Sequence, residues 1–296
     1  MIRKILVPTD FSEPSVRIAN RVHRFKTLGL QEVVLFHALR TIDVYTGELY
    51  IEMSYVAEFE EYAKKELDKI SKELEGHGIK AETVIETGNP SVLILDVAER
   101  EKADLIIMAS HGQGKSRNFH MGSVAHSVLH HSHGIHVPVL IKKVEWEKTN
   151  GIAKPKFRES QCFTKSVFPT DFSDRSEEAL SVLKSFISVG LKEVVLVHVQ
   201  DTGKLMPHLE DKMEEFDAID QERLNRIKEN LEKLGLEVKT VIDRGVPTEK
   251  IVEVSARENA DIIVMGAYGR SPVAEFFLGS VSERVAQKSS QAVLVV

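Results

Sequence analysis

Two stretches of the chain, ASHGQGKSRNFHMGS at 109–123 and GAYGRSPVAEFFLGS at 266–280, place small residues at the same spacing. In the second, Gly266 follows the apolar run DIIVM, Gly269 comes shortly after, and Gly279 leads into SVSERVAQ, which reads as a helix start. Glycine at the carboxyl end of a strand permits positive φ or lets a ligand approach the backbone. A helix N-terminus presents unpaired N–H groups and a positive dipole end, which favour an anion. A glycine loop ending on a helix N-terminus is therefore a candidate phosphate cradle. Ser280 and Glu283 also have the S-x-x-E spacing of a capping box. The first copy keeps Gly112, Gly122 and Ser123 but has Ala109 for the leading glycine and His126 in place of Glu283. Alanine does not enter positive φ freely and the capping box is lost, so the first copy is expected to bind an anion more weakly.

These loops belong to a longer repeat. KILVPTDFS at 4–12 matches KSVFPTDFS at 165–173, and LGLQEVVLFHAL at 28–39 matches VGLKEVVLVHVQ at 189–200. GNPSVLILDVAEREKADLIIMASHG at 88–112 matches GVPTEKIVEVSARENADIIVMGAYG at 245–269. The shift is 161 residues for the first two pairs and 157 for the third, so the first copy carries an excess, which we assign to TIDVYTGELY at 41–50. Asp10 and Asp171 thus recur at the end of the first strand of each copy. Such a carboxylate suits hydrogen bonds from a ligand; capping the following helix is the other reading of Asp171.

Within each copy, short apolar runs alternate with amphipathic stretches. In the first, ILVP (5–8) reads as a strand, and Ser12 caps a helix to about Thr27 with Pro14 in its first turn and Gly29 at its end. EVVLFHA (32–38), KAETVIETG (80–88), ADLIIMA (103–109) and VPVLIK (137–142) read as further strands. Helices are expected over 52–75, closed by Gly76, from Pro90 to about Lys102, and from Ser123 onward. The second copy repeats the order and ends on AVLVV. Alternating strands and helices predict an α/β fold of two doubly wound, Rossmann-like domains, each a five-stranded parallel sheet flanked by helices. In such sheets ligands sit beyond the carboxyl ends of the strands, at the switch in strand order. That rule puts PTDFS, the end of the FHA or VHV strand and the glycine loop on one rim. KVEWEKTNGIAKPKFRESQC at 143–162 breaks the pattern and reads as a linker, so the domains are expected at 1–143 and 163–296 with the linker at 144–162.

A chain of 296 residues has room for two such domains. The formal net charge of −6 argues against a partner with a phosphate backbone, which calls for a basic face. No apolar run approaches the ~20 residues of a membrane span. MIRKILVPTDFS enters a strand directly, without a leader pattern. The lone Cys162 fits a reducing, cytoplasmic setting.

Gly266, Gly269, Gly279 and Ser280, in a G-x2-G-x9-G-S pattern, together with ILVPTDFS and the strand end VHV, resemble the universal stress protein family. The resemblance spans both copies and identifies the chain as a tandem member. It implies the strand order 3-2-1-4-5 and the binding of ATP or AMP, with Mg²⁺ or Mn²⁺ beside the phosphates as a further possibility. It also implies pairing of the two domains through their last strands, an internal pseudo-dimer open to further homodimerisation. Residue by residue, it places Asp171 on ribose or adenine, Pro169, Thr170 and Met265 along the same wall, and Val199 against adenine through its backbone. Gly266 and Gly269 would lie along ribose and phosphates, with Gly279, Ser280 and Val281 at the phosphate end. The first-copy counterparts are Pro8, Thr9, Asp10, Ala38, Met108, Ala109, Gly112, Gly122, Ser123 and Val124. A nucleotide-binding regulatory or stress-response protein is the resulting expectation. A slow metal-dependent ATPase and a scaffold that binds no nucleotide are the alternatives; neither a flavin-type nor an adenylating signature is present.

Other signals are weaker. ASHGQGKS at 109–116 approaches a P-loop but lacks its leading glycine. His120, His126, His130, His131, His133 and His136 crowd one region; His126 and His130 would share a helix face and are the candidate metal ligands, although no carboxylate or thiolate stands beside them. The Glu- and Lys-rich segments 52–75 and 209–234 read as solvated helices covering the sheet.

Overall fold

The computed structural model describes residues 2–39, 53–112, 121–149, 152–156, 163–201, 213–268 and 279–296. The excess segment 41–50, Gly114, Lys115, Ser116, His120, Cys162 and Gly269 lie outside the described residues. The first copy runs β1 (Lys4–Pro8), α1 (Glu13–Arg21), β2 (Glu32–Leu39), α2 (Met53–Gly76), β3 (Lys80–Thr87), α3 (Pro90–Arg100), β4 (Leu105–Ala109), α4 (Ser123–His131) and β5 (Val139–Lys142). Two short strands, β6 (Glu145–Thr149) and β7 (Ile152–Lys156), pair within the segment read as linker. The second copy runs β8 (Lys165–Pro169), α5 (Asp174–Ser185), β9 (Glu193–Gln200), α6 (Met213–Glu232), β10 (Glu237–Arg244), α7 (Pro247–Arg257), β11 (Ile262–Met265), α8 (Ser280–Lys288) and β12 (Ala292–Val295). By its contacts the chain divides into Met1–Val139 with Trp146–Pro155 and Leu140–Glu145 with Lys156–Val296, so the division falls within β5. No helix among the described residues is long and apolar enough to cross a membrane.

Strand order in the first copy is β3-β2-β1-β4-β5, and in the second β10-β9-β8-β11-β12. β1 pairs in parallel with both β2 and β4, and β8 with both β9 and β11. The switch in strand order therefore falls beside β1 and β8, the strands that carry PTD at their ends. Continuous apolar runs form these central strands because both faces are covered. Ile5, Leu6, Phe36, Leu105 and Ile106 are buried in the first copy, as are Phe168, Leu196, Ile262 and Ile263 in the second. The edge strands β3 and β10 mix half-buried and exposed positions, which is why they read as alternating.

The helix boundaries follow their local chemistry. Ser12 caps α1 by accepting from the Ser15 N–H, and a 3₁₀ segment continues to Leu28, where Gly29 closes it at φ 95°. Gly190 does the same at φ 101° in the second copy. Gly76, expected to end α2, is still helical; the turn is made by Gly78 at φ 70°. The solvated faces of α2 and α6 carry ion pairs one turn apart, Lys64–Glu60 and Lys72–Asp68 on α2 and Arg226–Glu222 on α6. Exposed pairs of this kind add little stability.

A carboxylate just before β4 and β11 fixes each central strand. Asp104 Oδ2 accepts from the Arg3 N–H at 2.7 Å and the Lys4 N–H at 2.9 Å. Asp261 Oδ2 accepts from the Thr164 N–H, the Thr164 hydroxyl and the Lys165 N–H at 2.8, 2.8 and 3.0 Å. Charge-assisted bonds of this kind contribute about 1.5–3 kcal/mol each where water is excluded and less at an exposed edge. Asp261→Ala is expected to lower the stability of the second copy by about 1–3 kcal/mol in urea unfolding. An unchanged midpoint would show that the strand start needs no clamp.

Lys143, just after β5, is half-buried and donates to the Ala286 and Gln287 carbonyls at the end of α8, the latter at 3.2 Å. Burial pushes its pKa down to about 8, although the negative end of the helix favours its charge. Below pH 8 the ammonium is charged in both folded and unfolded chains, and the desolvation penalty is fully present. Between pH 8 and 10.5 the unfolded chain binds the proton that the folded one has lost, so stability rises with pH. The stability of the parent chain relative to Lys143→Met should therefore increase across that window, by on the order of 3 kcal/mol at most. A difference that stays flat from pH 7.5 to 10.5 would refute the burial argument.

Candidate functional site

The loop after β1 and that after β8 have one construction. The Thr9 N–H donates to the Phe36 carbonyl and the Thr170 N–H to the Val197 carbonyl, both at 2.8 Å, so each loop leaves the strand in register with its neighbour. Each threonine hydroxyl accepts from the second N–H onward, Phe11 or Phe172, at 3.0 Å. It also meets a buried serine hydroxyl of the following helix, Ser15 at 2.9 Å or Ser176 at 2.8 Å. Phe11 and Phe172 sit at φ 59° and 60°, a left-handed backbone that a bulky residue adopts only when its surroundings enforce it.

The aspartates support the helix starts without being the caps. Asp171 Oδ1 accepts from the Ser173 N–H at 3.1 Å and its hydroxyl at 2.6 Å, while Ser173 itself caps α5. Asp10 Oδ1 does the same for Ser12 and also accepts from the Ser15 hydroxyl at 2.8 Å. The capping reading of Asp171 is thus replaced by an Asx turn that holds the cap. Its second oxygen, Oδ2, has no protein donor among the described residues.

A histidine in each copy completes the loop. His37 Nδ1 donates to the Thr9 carbonyl and His198 Nδ1 to the Thr170 carbonyl, both at 2.8 Å. Phe11 stacks on His37 at 4.3 Å, and Phe172 tilts over His198 at 4.6 Å. Burial lowers the pKa of His37 against the pull of the Thr9 carbonyl and the Asp10 charge, which keeps the imidazole neutral around pH 7. His198 Nε2 instead lies 3.3 Å from Asp220 Oδ2 on α6. The motif reading passed over both histidines and the two serines. Their signal was a polar residue recurring at the same repeat shift inside otherwise apolar runs.

The glycine loops meet this rim. A Cβ on Gly112 would stand 1.9 Å from Asp10 Oδ2, so the backbone after β4 lies directly against the carboxylate. Gly266 does not have positive φ, the first of the two roles its place in the sequence offered. Its requirement is proximity, because a Cβ there would come within 3.1 Å of the Arg175 backbone in the first turn of α5. The methyl of Ala109 is buried at the end of β4, and Ala109 does not have positive φ. Met108 and Met265 are buried beside them. Arg175 lies over the Tyr268 ring at 4.7 Å and pairs with Glu178 at 2.6 Å; its first-copy counterpart by repeat register is Pro14.

The capping box is not formed. Gly279, with extended backbone, is the N-cap of α8; Ser280 is the first helical residue, and no side chain caps the helix. Gly122 has the same role for α4, again without a side-chain cap. The two glycines are tied to the turn after the fourth strand: the Gly122 N–H donates to the Ser110 carbonyl at 2.7 Å and the Gly279 N–H to the Ala267 carbonyl at 2.8 Å. A Cβ on Gly279 would lie 3.0 Å from the Ala267 carbonyl oxygen, so this approach excludes side chains. Ser123 and Ser280 are exposed, with Val124 and Val281 half-buried behind them. Pro8, Pro169, Ala38 and Val199 stand at the carboxyl ends of β1, β8, β2 and β9 on the same rim.

His126 and His130 share a face of α4, their ring centroids 6.2 Å apart, and the His130 ring meets His131 edge-on. Among the described residues no group of three or more His, Cys, Asp or Glu could hold a metal ion.

The model of the universal stress protein family matches residues 1–143 and 163–296. Universal stress protein MJ0577 of Methanocaldococcus jannaschii is 36% identical over 156 residues, covering 46% of this chain and 96% of that protein. A universal stress protein of Mycolicibacterium smegmatis is 25% identical over 302 residues, covering 99% of this chain and 96% of its own length. The crystal structure of a universal stress protein from Archaeoglobus fulgidus superposes with a TM-score of 0.70 at 28% identity, covering 99% of this chain and 97% of that one. With the strand order, the paired PTD loops and the glycine-capped final helices, these matches establish that the chain belongs to the universal stress protein family.

Proposed function

We propose that this protein is an adenine-nucleotide-binding regulator of a stress response, with one candidate site at the rim of each copy. The observation that carries the reading is the approach of Gly112 to Asp10, which brings a strand-end carboxylate and a glycine backbone together on the rim of the sheet. A carboxylate beside exposed backbone suits ribose hydroxyls or an exocyclic amine. The uncapped N-termini at Gly122–Ser123 and Gly279–Ser280 suit phosphate. The position at the switch in strand order is where doubly wound sheets hold ligands.

Asp10 and Asp171 would hold the nucleoside, flanked by Thr9 and Thr170 and by the strand ends at Ala38 and Val199. Gly112, Gly122, Ser123 and Val124 would take the phosphates in the first copy, and Gly266, Gly269, Gly279, Ser280 and Val281 in the second. A divalent cation such as Mg²⁺ would enter with the phosphates. The second copy is the tighter site in this reading, now for a different reason from the one the glycine pattern suggested. Arg175 adds a cation beside Gly266 and Tyr268, where the first copy has Pro14. We further place the domains at 1–143 and 163–296.

Calorimetric titration of the full chain with ATP and with AMP, with and without Mg²⁺, tests this. Asp171→Asn keeps the Oδ1 acceptor of the loop and removes the charge. It is expected to weaken the tighter phase about tenfold or more, and Asp10→Asn the weaker phase. No heat at millimolar nucleotide would reject the reading. Equal losses from the two variants in a single phase would reject the ranking of the sites.

A further inference from the structure

Beside that rim, the second copy has a cavity of about 720 Å³ between α5 and α6, whose lining includes Thr170 and Phe172 of the loop after β8. Asp171, Gly266 and Ser280 do not line it. Its floor is apolar, formed by Phe168, Phe172, Leu180 and Ile227. Its lining also carries three cations, Lys184 from α5 and Arg223 and Arg226 from α6, against one carboxylate, Glu177. Lys184 is half-buried and has no ion-pair partner among the described residues. Arg223 stands 5.3 Å over the Phe172 ring, and its nearest carboxylate, Asp220, is 3.8 Å away. Only Arg226 is closely paired, with Glu222 at 2.5 Å.

The repeat supplies an internal comparison. Leu67 and Leu74 on α2 correspond to Leu224 and Leu231 on α6, and all four are fully buried, which fixes the register of the two helices. In that register Ile227 matches Ile70, whereas Arg223 and Arg226 match Glu66 and Lys69, and Lys184 matches His23. Ile227 thus has a counterpart and Arg226 keeps a cation in Lys69, whereas the cations Lys184 and Arg223 are peculiar to the second copy. A cavity of this size with an apolar floor and a few convergent polar groups is the usual form of a small-molecule site.

We propose that this groove binds an amphipathic carboxylate, an alkyl chain lying on Phe172, Leu180 and Ile227 with its head group between Lys184 and Arg223. Guanidinium and ammonium groups lining one groove with an apolar floor match such a molecule at both ends.

Decanoate, with decanol and decyltrimethylammonium as comparison probes, tests this by calorimetry on the full chain. Saturable binding of about one decanoate per chain is expected, with decanol at least about tenfold weaker and decyltrimethylammonium not bound. The double variant Lys184→Gln, Arg223→Gln is expected to weaken decanoate by about tenfold or more with an unchanged thermal melt. Glu66→Gln, at the matching place in the first copy, should leave binding unaltered. Absence of saturable binding, equal affinity in the double variant, or equal uptake of the cationic amphiphile would each overturn the proposal.

Discussion

Thr9 and Thr170 each join a central strand, its neighbour and the following helix through three polar groups. The amide stays in the ladder to β2 or β9, the carbonyl receives a histidine, and the hydroxyl stands between a backbone N–H and a buried serine. With all three groups satisfied, the backbone at Phe11 and Phe172 can be held in the left-handed region at a cost of order 1–3 kcal/mol. That reversal lets Asp10 and Asp171 stand at the strand end with their carboxylates beside the helix start. The site geometry therefore rests on a hydrogen-bonded core beneath it, and the aspartates inherit their place from the threonines. The threonines and serines are buried, so losing one partner would leave the other unsatisfied, which costs more than the bond itself contributes.

The repeat shows which parts of this arrangement the fold requires and which are free to vary. Threonine, aspartate, left-handed phenylalanine, serine and histidine recur at one shift with distances that agree within 0.1 Å for the shared bonds from threonine to serine and to histidine. Around this constant frame the charges diverge. His37 stacks on Phe11, which Tyr62 meets edge-on, whereas His198 faces Asp220 and lies beneath a phenylalanine covered by Arg223. Arg175, Lys184 and Arg223 all belong to the second copy and replace a proline, a histidine and a glutamate. Divergence of surface charge over a conserved buried pattern is what two binding specificities on one scaffold would need.

The fold was legible because its signals are strong where water is excluded. Unbroken runs such as ILVP and DLIIMA form central parallel strands, and Ser12, Pro14 and Gly29 set the bounds of the first helix as local chemistry requires. The strand order came from the family resemblance, and the ladder bears it out. The site was legible in its residue types and less so in its reasons. Spacing alone pointed to a capping box at Ser280 and Glu283, yet the helix begins one residue earlier than that motif needs, with Gly279 as its N-cap and the Gly279 N–H drawn to the Ala267 carbonyl. Likewise the glycine at 266 marks the proximity of α5, and a one-dimensional pattern does not carry which backbone a residue will meet. The histidines were hidden for the same reason, since their role depends on a carbonyl 28 positions away.

The glycine caps of α4 and α8 connect these points to function. A serine or aspartate cap would strengthen each helix start by a few tenths of a kcal/mol over glycine, and α1, α3 and α5 all use a side chain in that way. It would also occupy the first-turn N–H groups with an internal acceptor. At Gly279 a side chain is moreover excluded by the carbonyl of Ala267, so the close approach of the strand-end turn enforces the open N-terminus. The same contact that anchors the helix to the sheet thus leaves its amides available to an anion. Stability at this helix end and ligand binding are set by a single backbone geometry, and the glycine that makes it stands in both copies, at 122 and 279.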